Sequence, residues 1–316
     1  MVRVPTWRVP GVGVPLSPRL PGRFRETIRS LEPDVVHVHA SIWSAGALAG
    51  GWAAHREGVP IVMTLHSLLG GQAWVHRLSD GLVGWGRWPQ VVAGVSPPVA
   101  DQLTRVLGRS VTVLGNGVDT AWWREGRGDG TPAADGTLRL IAVQRLHRRK
   151  RGLTLVEAVA RAQSSLPPGT RLSLRVVGDG PQRDRMKARA ESLGVDISFS
   201  GALSAEGVRA EMSGADLFVS ACDVESFGLA AAEARAFGLP VIAWRVGALP
   251  DFVRDGEDGY LVDSEVELSA AIQRVAGSGE LLRHLSEGSR ERPPACDWKR
   301  VVEEHTAAYE DAARHA

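Results

Sequence analysis

The chain has 316 residues and a formal net charge of +1, which predicts about two domains and gives no reason to expect a nucleic-acid-binding protein. Its two cysteines, Cys222 and Cys296, do not indicate a disulfide framework, and we therefore expect a cytoplasmic protein. No run approaches the roughly 20 apolar residues of a membrane span. Two of the ten tryptophans, Trp85 and Trp88, are expected to pack in a core or an acceptor pocket. The alternative is weak peripheral contact with the inner face of the membrane.

Short runs rich in Val, Ile and Leu alternate along the chain with longer segments rich in Ala, Arg and Glu. This alternation is typical of an α/β protein with buried parallel sheets. The predicted strands are 34–38, 60–65, 91–95, 111–114, 138–144, 172–177, 197–201, 216–221 and 240–244. Helices are predicted at 154–166, at 183–194 and from Phe227 onward. The pattern predicts two doubly wound domains.

A segment without hydrophobic periodicity, REGRGDGTPAADG (124–136), separates the two sets of strands. Its content of Gly, Pro and Asp predicts a linker. We therefore predict an N-terminal domain at 1–125, a linker at 126–136 and a C-terminal domain at 137–297, followed by a terminal segment at 298–316.

Polar or glycine residues follow most of the predicted strands, at the edge where open α/β sheets bind ligands. These positions hold His39, His66, Ser96, Asn116, Arg145, Gly178 and, slightly later, Glu225. Two such edges facing each other would form a ligand-binding cleft.

The segment RLHRRKRG (145–152) is predicted to be a solvated loop for most of its side chains. Two of its basic residues have positions that suggest a specific role. Arg145 comes directly after a strand, and Lys150 precedes the next helix. A planar guanidinium and a point charge converging from one loop would suit a diphosphate. The later turn VVGDGP (176–181) predicts a close approach of the Gly178 backbone to a ligand or to a neighbouring loop.

The stretch ESFGLAAAEARAFGLP (225–240) places a carboxylate on each side of a helix start. Free backbone N–H groups at the start of the helix would favour an anion, and Gly228 would leave room for a ligand. Glu233 inside an alanine-rich helix needs partners, which could be sugar or ribose hydroxyls. The alternative partners are Arg235 or a loop arginine. The two glutamates fit the acid/base pair of a glycosidase less well than a nucleotide-sugar site, because one of them lies on a helix beside phosphate-binding groups.

Residues 225–233 resemble the E-x7-E motif of retaining glycosyltransferases of family 4, which have the GT-B fold. The resemblance covers nearly the whole chain, because further segments fall in the order and at the spacing of that family. These segments are 34–39, 93–96, 114–119, 144–150, 176–181, 215–253 and 255–262. The resemblance implies two Rossmann-like doubly wound domains facing across a cleft, with a final helix at 298–316 that returns to the N-terminal domain.

The resemblance also implies roles for individual residues. Glu233 would hold the ribose hydroxyls of the donor, and Glu225 a hydroxyl of the transferred sugar. The backbone at Phe227, Gly228 and Leu229, with Gly178 nearby, would meet the sugar and the phosphates.

Arg145 and Lys150 would neutralise the leaving diphosphate, and His39 would contact the donor sugar. The implied reaction moves a sugar from a UDP- or GDP-sugar to an unknown small-molecule, lipid or glycan acceptor. No cofactor is expected, and no metal, because His37 and His39 share a strand face without a third ligand.

The sequence departs from the family pattern at its start. In that family a strand and a Gly-Gly loop precede the strand that corresponds to 34–38, whereas here an irregular segment precedes Asp34. We therefore expect an N-terminal domain lacking at least one βαβ unit, roughly 30 residues. This expectation leaves open a catalytically impaired, nucleotide-sugar-binding or partner-binding remnant. A smaller departure is Arg151 before Gly152, where the family often has Lys directly followed by Gly.

Overall fold

The computed structural model describes residues 7–8, 15–17, 19–42, 44–126 and 136–315. The chain forms two compact units: unit 1 comprises Met1–Asn116 with Lys299–Ala316, and unit 2 comprises Gly117–Trp298. Most of the predicted linker, 127–135, lies outside the described residues. The predicted domain boundaries stay a prediction.

The strands and helices alternate along most of the chain. The strands are β1 (Trp7–Arg8), β2 (Pro15–Leu16), β3 (Val36–Ala40), β4 (Ile61–Leu65), β5 (Val91–Gly94), β6 (Thr112–Val113), β7 (Thr137–Val143), β8 (Arg171–Val177), β9 (Asp196–Gly201), β10 (Leu217–Val219), β11 (Val241–Trp244) and β12 (Gly259–Val262). The α-helices are α1 (Leu20–Leu31), α2 (Ala45–Glu57), α3 (Ala73–Val83), α4 (Pro97–Leu107), α5 (Thr120–Glu125), α6 (Gly152–Gln163), α7 (Arg183–Leu193), α8 (Ala205–Ser213), α9 (Leu229–Phe237), α10 (Leu249–Phe252), α11 (Glu265–Ala276), α12 (Gly279–Glu291) and α13 (Trp298–Arg314). Short 3-10 turns occupy Gly70–Gln72, Trp85–Arg87 and Arg148–Lys150.

Unit 2 is built on a six-stranded parallel sheet of order β12-β11-β10-β7-β8-β9. Read from β7, this is the doubly wound order in which the chain moves to one side and then reverses to the other. The reversal lies between β7 and β10, and it fixes where a ligand is expected. The fold class predicted for this half of the chain is confirmed.

Strand β12 was not predicted, because it is short and begins with a glycine. A Cβ on Gly259 would lie 2.1 Å from the carbonyl oxygen of Val241 on the neighbouring strand. The glycine therefore permits the close approach of the two strands.

Unit 1 contains a four-stranded parallel sheet of order β3-β4-β5-β6 and a separate antiparallel pair, β1 and β2. Strand β4 is buried along its whole length, as expected for the interior of a parallel sheet. Helix α13 packs Ala308 and Ala312 against a core that includes Val62 and Ala93 of this sheet. The expectation that a first βαβ portion is absent stays a prediction.

Three local predictions were wrong. The segment before β3 is not irregular throughout, because α1 buries Leu20 and Ile28, and Arg25 pairs with Glu57 of α2 at 2.5 Å. Strand β3 begins two residues later than predicted, at Val36, so that His39 lies within the strand. Helix α9 begins at Leu229 rather than Phe227, because Gly228 takes a left-handed conformation that ends the preceding loop.

Trp85 and Trp88 are both buried, which confirms the packing interpretation for this pair. Their rings are therefore packed inside unit 1 and are not exposed at its surface. Across the described parts of the chain, no helix combines the length and apolar character needed to cross a bilayer.

Candidate active site

A cavity of about 140 Å³ lies at the point where the strand order of the six-stranded sheet reverses. It is bounded by residues at and beyond the carboxyl ends of β7 and β10 and by the first turn of α9. Open α/β sheets bind ligands at this position. The cavity brings together four of the predicted site residues: Lys150, Glu225, Gly228 and Leu229.

The start of α9 faces this cavity with backbone N–H groups that have no partner within the helix. Gly228 caps the helix with φ 95°, a conformation that favours glycine. A Cβ at this position would lie 2.5 Å from Cδ1 of Leu249, so the fold itself favours glycine here. The Phe227 side chain is buried, with its ring centroid 5.9 Å from that of Phe252, which leaves only its backbone available for a ligand.

Lys150 and Glu225 form an ion pair within the cavity. The Lys150 Nζ donates to Glu225 Oε2 at 2.5 Å, and each side chain is about a quarter exposed. The family resemblance assigned Lys150 to the diphosphate and Glu225 to the transferred sugar. The structure places their charged groups in contact. The pair fixes a cation beside the positive end of α9, where an anionic ligand would be favoured.

Glu233 lies one turn into α9 and is half-buried. Within the part of the chain that the structure describes, it makes no ion pair or side-chain hydrogen bond. Burial raises the pKa of its carboxyl to about 7. The alternative of an Arg235 partner is wrong, because Arg235 pairs with Asp258 at 2.6 Å and both side chains are almost fully buried. Glu233 therefore retains free acceptor capacity, although it does not line the cavity itself.

Arg145 and Gly178 lie outside the lining of the cavity. Arg145 is exposed in the loop after β7. Gly178 has φ 130°, and a Cβ there would lie 1.9 Å from the carbonyl oxygen of Gln144. Of the two interpretations of this turn, the structure shows the close approach to a neighbouring loop. Donor binding by Arg145 and Gly178 stays a prediction.

Unit 1 places His39 in a cluster of histidines near the carboxyl ends of β3 and β4. The His39 Nδ1 is 2.8 Å from His66 Nε2, and the His39 and His37 rings have centroids 4.1 Å apart. The two nitrogens of His37 are 2.9 Å from the Tyr309 hydroxyl and 2.8 Å from the Thr64 hydroxyl. His66 is a neighbour that the sequence marked only by its position directly after a strand.

Burial, with a smaller effect of neighbouring histidines, lowers the pKa of His37 to about 3 and that of His66 to about 4. Burial and the nearby His305 also lower the pKa of His39. All three imidazoles are therefore neutral at neutral pH and can exchange hydrogen bonds with hydroxyl groups. Among the described residues there is no cluster of three or more His, Cys, Asp or Glu placed to hold a metal.

Two further residues support the loop that carries Glu225 and were not predicted as site residues. Arg151, at φ 52°, donates to Asp223 at 2.5 Å and also to Glu265, and its guanidinium lies 5.2 Å from the centroid of the Trp244 ring. Gly247, at φ 61°, brings its backbone so close that a Cβ would lie 2.4 Å from the Glu225 carbonyl oxygen. The only sequence signal for Arg151 was its departure from the family pattern.

Comparison with protein families gives two matches that together span most of the chain. Residues 129–292 match the profile described as "Glycosyl transferases group 1". Residues 1–122 match the profile described as "Glycosyltransferase Family 4".

Curated relatives align over most of the chain. A D-inositol 3-phosphate glycosyltransferase of Geodermatophilus obscurus is 32% identical over 316 aligned positions, covering 89% of this chain and 67% of that protein. A glycogen synthase of Mycobacterium tuberculosis is 29% identical over 310 positions, covering 91% of this chain and 71% of that protein.

Solved structures share the fold at lower identity. Anabaena HepE in complex with UDP and glucose has a TM-score of 0.74 at 20% identity, covering 91% of this chain and 80% of that one. Sucrose-phosphate synthase of Thermosynechococcus elongatus has a TM-score of 0.72 at 24% identity, covering 98% and 83%. These matches confirm a GT-B fold made of Rossmann-like units.

Proposed function

Since the chain belongs to glycosyltransferase family 4, we propose that it transfers a sugar from a UDP- or GDP-sugar to an acceptor hydroxyl with retention of anomeric configuration. The donor is the only nucleotide that the reaction requires, and no metal or further cofactor takes part. We also propose a cytoplasmic location for the protein.

The Lys150–Glu225 pair beside the start of α9 is the observation that carries the proposal. A diphosphate placed against this helix terminus would meet backbone N–H groups and the Lys150 ammonium. Glu225 would then exchange part of its contact with Lys150 for a hydroxyl of the transferred sugar. A charged lysine with its carboxylate partner in a cavity thus suits a ligand that has both phosphates and hydroxyl groups.

Glu233 supports the same assignment for the nucleoside. Its carboxylate has acceptor capacity that no described residue uses, and its raised pKa shows that burial is uncompensated. The two hydroxyls of a ribose would supply donors at this point and favour the ionised form. This would lower the pKa of Glu233 when the nucleotide binds.

The chemistry proposed for the site is electrostatic. Negative charge grows on the diphosphate as the bond to the sugar breaks, and Lys150 with the α9 amides is fixed in place to stabilise it. Front-face attack by the acceptor would then retain the anomeric configuration. Arg145 is assigned to the diphosphate, and His39, a neutral imidazole, to a sugar hydroxyl; both assignments rest on the family resemblance.

UDP is the first donor nucleotide to test, because the Anabaena relative was solved with UDP and glucose. The 316-residue chain would be incubated with UDP-glucose, and then with GDP-mannose, in the presence of candidate acceptor alcohols. NMR of the product is expected to show the anomeric configuration of the donor. An inverted product would contradict the retaining reaction. Failure to transfer or hydrolyse either donor, while UDP still binds, would favour the remnant without activity.

A further inference from the structure

Helix α3 of unit 1 exposes a row of large apolar side chains. Trp74, Leu78 and Leu82 are 67%, 56% and 78% exposed, and their spacing of four places them along one side of the helix. No residue of α3 is buried. Single exposed apolar side chains are ordinary, but a contiguous row on one helix indicates a surface that binds something.

An apolar cavity of about 330 Å³ lies beside this row. Its walls come from strands β3 to β5 and from helices α2 and α3, with Val75 and Ser79 on the cavity side of α3. Leu48 of α2 lines the cavity and is itself 42% exposed, so the cavity reaches the protein surface. Val75 and Leu82 are about two helical turns apart, so they lie on nearly the same side of α3. The cavity wall and the exposed row are therefore adjacent.

The charges around the row are mainly basic. Segments 73–88 and 97–109 carry four arginines, Arg77, Arg87, Arg105 and Arg109, against the two acids Asp80 and Asp101. Arg77 donates to the Arg105 carbonyl at 2.8 Å, which holds the two helices together at this end. Asp80 is already engaged by the Gly86 backbone N–H at 2.6 Å. Arg109 is half-buried and donates to backbone carbonyls, including that of Gly86. The exposed charges of the two segments are therefore three arginines, Arg77, Arg87 and Arg105, and one acid, Asp101.

We propose that unit 1 docks on an anionic lipid bilayer through α3. Trp74, Leu78 and Leu82 enter the interfacial layer, the exposed arginines meet the headgroups, and the cavity receives one apolar chain of a lipid. A second copy of the chain fits this surface less well, because a two-fold interface would bring the same basic side chains together. Combined with the proposed function, bilayer docking makes the acceptor a membrane lipid; that step rests on the proposed function, whereas the docking does not.

Vesicle co-sedimentation of the 316-residue chain tests the docking. We expect binding to vesicles of equimolar phosphatidylcholine and phosphatidylglycerol, weaker binding to pure phosphatidylcholine, and weakening with added salt. Changing Trp74, Leu78 and Leu82 together to Ser should lower the partition constant by roughly ten-fold or more. The matched control is Leu31→Ser with Val302→Ser, which removes exposed apolar side chains from α1 and α13. Equal vesicle binding by the triple variant and the control would overturn the proposal.

Sedimentation velocity on the same preparations separates a lipid from a second copy. A monomer in every variant is expected; a dimer that only the triple variant loses would also overturn the proposal. UDP titration of the triple variant should match the unchanged chain, which keeps a failure of docking distinct from a failure of the donor site.

The cavity is tested with a dansyl-labelled fatty acid. Ala47→Phe, which fills the cavity from α2, should weaken its binding by roughly ten-fold. Gly50→Ala is the control, since nothing lies within 4 Å of the added Cβ. Undiminished probe binding in Ala47→Phe would remove the cavity from the lipid site.

Discussion

At the carboxyl end of the six-stranded sheet, Lys150 and Glu225 form an ion pair at 2.5 Å. At the carboxyl ends of β3 and β4, by contrast, His37, His39 and His66 are held uncharged by burial and by one another. The same edge of the two parallel sheets thus carries an ion pair in unit 2 and neutral imidazoles in unit 1. The histidines are neutral because burial and a neighbouring histidine both disfavour the protonated imidazole.

This difference agrees with the roles proposed for the two units, the diphosphate in unit 2 and sugar hydroxyls in unit 1. The charged edge in unit 2 is suited to a diphosphate, which brings negative charge that grows during the reaction. The neutral histidines in unit 1 can exchange hydrogen bonds with hydroxyl groups without attracting or repelling an anion.

Removal of the cation from unit 2 should have the largest effect. Lys150→Ala removes a fixed donor to the developing charge and leaves Glu225 without its partner. The turnover number should fall by about 10²-fold or more, while UDP affinity falls less. Initial rates of donor consumption, measured beside the UDP dissociation constant, would check this. Arg148→Ala, in the same 3-10 turn but outside the cavity lining, is the control. A normal turnover number in Lys150→Ala would contradict the assignment.

Acidification should destabilise unit 1 through its histidines. In the unfolded chain these histidines are protonated below about pH 6.5, their ordinary pKa. In the folded protein the pKa of His37 is about 3 and that of His66 about 4, so both stay neutral at lower pH. The unfolded state therefore binds more protons in this window, and the free energy of unfolding decreases as the pH falls through it. After allowance for partial exposure, the loss should be on the order of 1–3 kcal/mol.

Hydrogen exchange at a series of pH values would detect this, because peptides of the β3–β5 sheet should lose protection before those of the β7–β10 sheet. His66→Gln should reduce the pH dependence, whereas His147→Gln, an exposed histidine in unit 2, should not. Simultaneous loss of protection in both sheets would show that the histidine cluster has no special effect on stability.

A smaller effect is expected from the backbone that supports Glu225. Gly247→Ala and Gly256→Ala both place a side chain at positive φ, but only at Gly247 does the new Cβ meet the Glu225 carbonyl oxygen, at 2.4 Å. Both should lose about 1–2 kcal/mol from the left-handed conformation, and Gly247→Ala should lose about 1–3 kcal/mol more. Chemical denaturation and UDP binding would measure the difference. Equal stability of the two variants would show that the Glu225 loop moves without cost.

Much of the fold could be predicted because buried parallel strands leave a clear pattern. The runs around Val62 and Ile141 are apolar on both faces, whereas the run around Leu174 alternates buried residues with Ser173 and Arg175. The structure places all three strands in the interior of a sheet. Strand β12 could not be predicted in this way, because Gly259 weakens the pattern and its role depends on a neighbouring strand. Helix α1 was missed although Leu20, Phe24 and Ile28 recur every four residues, since Pro and Gly near its start suggested irregular structure.

The site was predictable in composition but not in its pairings. The positions of Lys150 and Glu225 after strands indicated the correct edge, yet their mutual contact joins residues 75 positions apart. The same holds for Arg235, whose partner Asp258 could not be read from a helix pattern. The support from Arg151 to Asp223 and Glu265 also depends on tertiary structure. Local sequence indicates which chemistry is available, whereas the fold decides which charges neutralise each other.

Calorimetric titration with UDP tests the central claim, that unit 2 holds the donor nucleotide through Glu233, most directly. Two charge-assisted hydrogen bonds to ribose are each worth about 1.5–3 kcal/mol, so Glu233→Ala should weaken UDP binding by ten-fold or much more. Glu287→Ala, on the exposed part of α12, should bind normally. Because the pKa of Glu233 is about 7 without ligand, UDP should also bind more tightly as the pH rises through this value. This increase should be smaller in the variant, where only the terminal phosphate of UDP, with a pKa of about 6, still ionises. If UDP binds with equal affinity and the same pH dependence with and without Glu233, the residue has no part in the site.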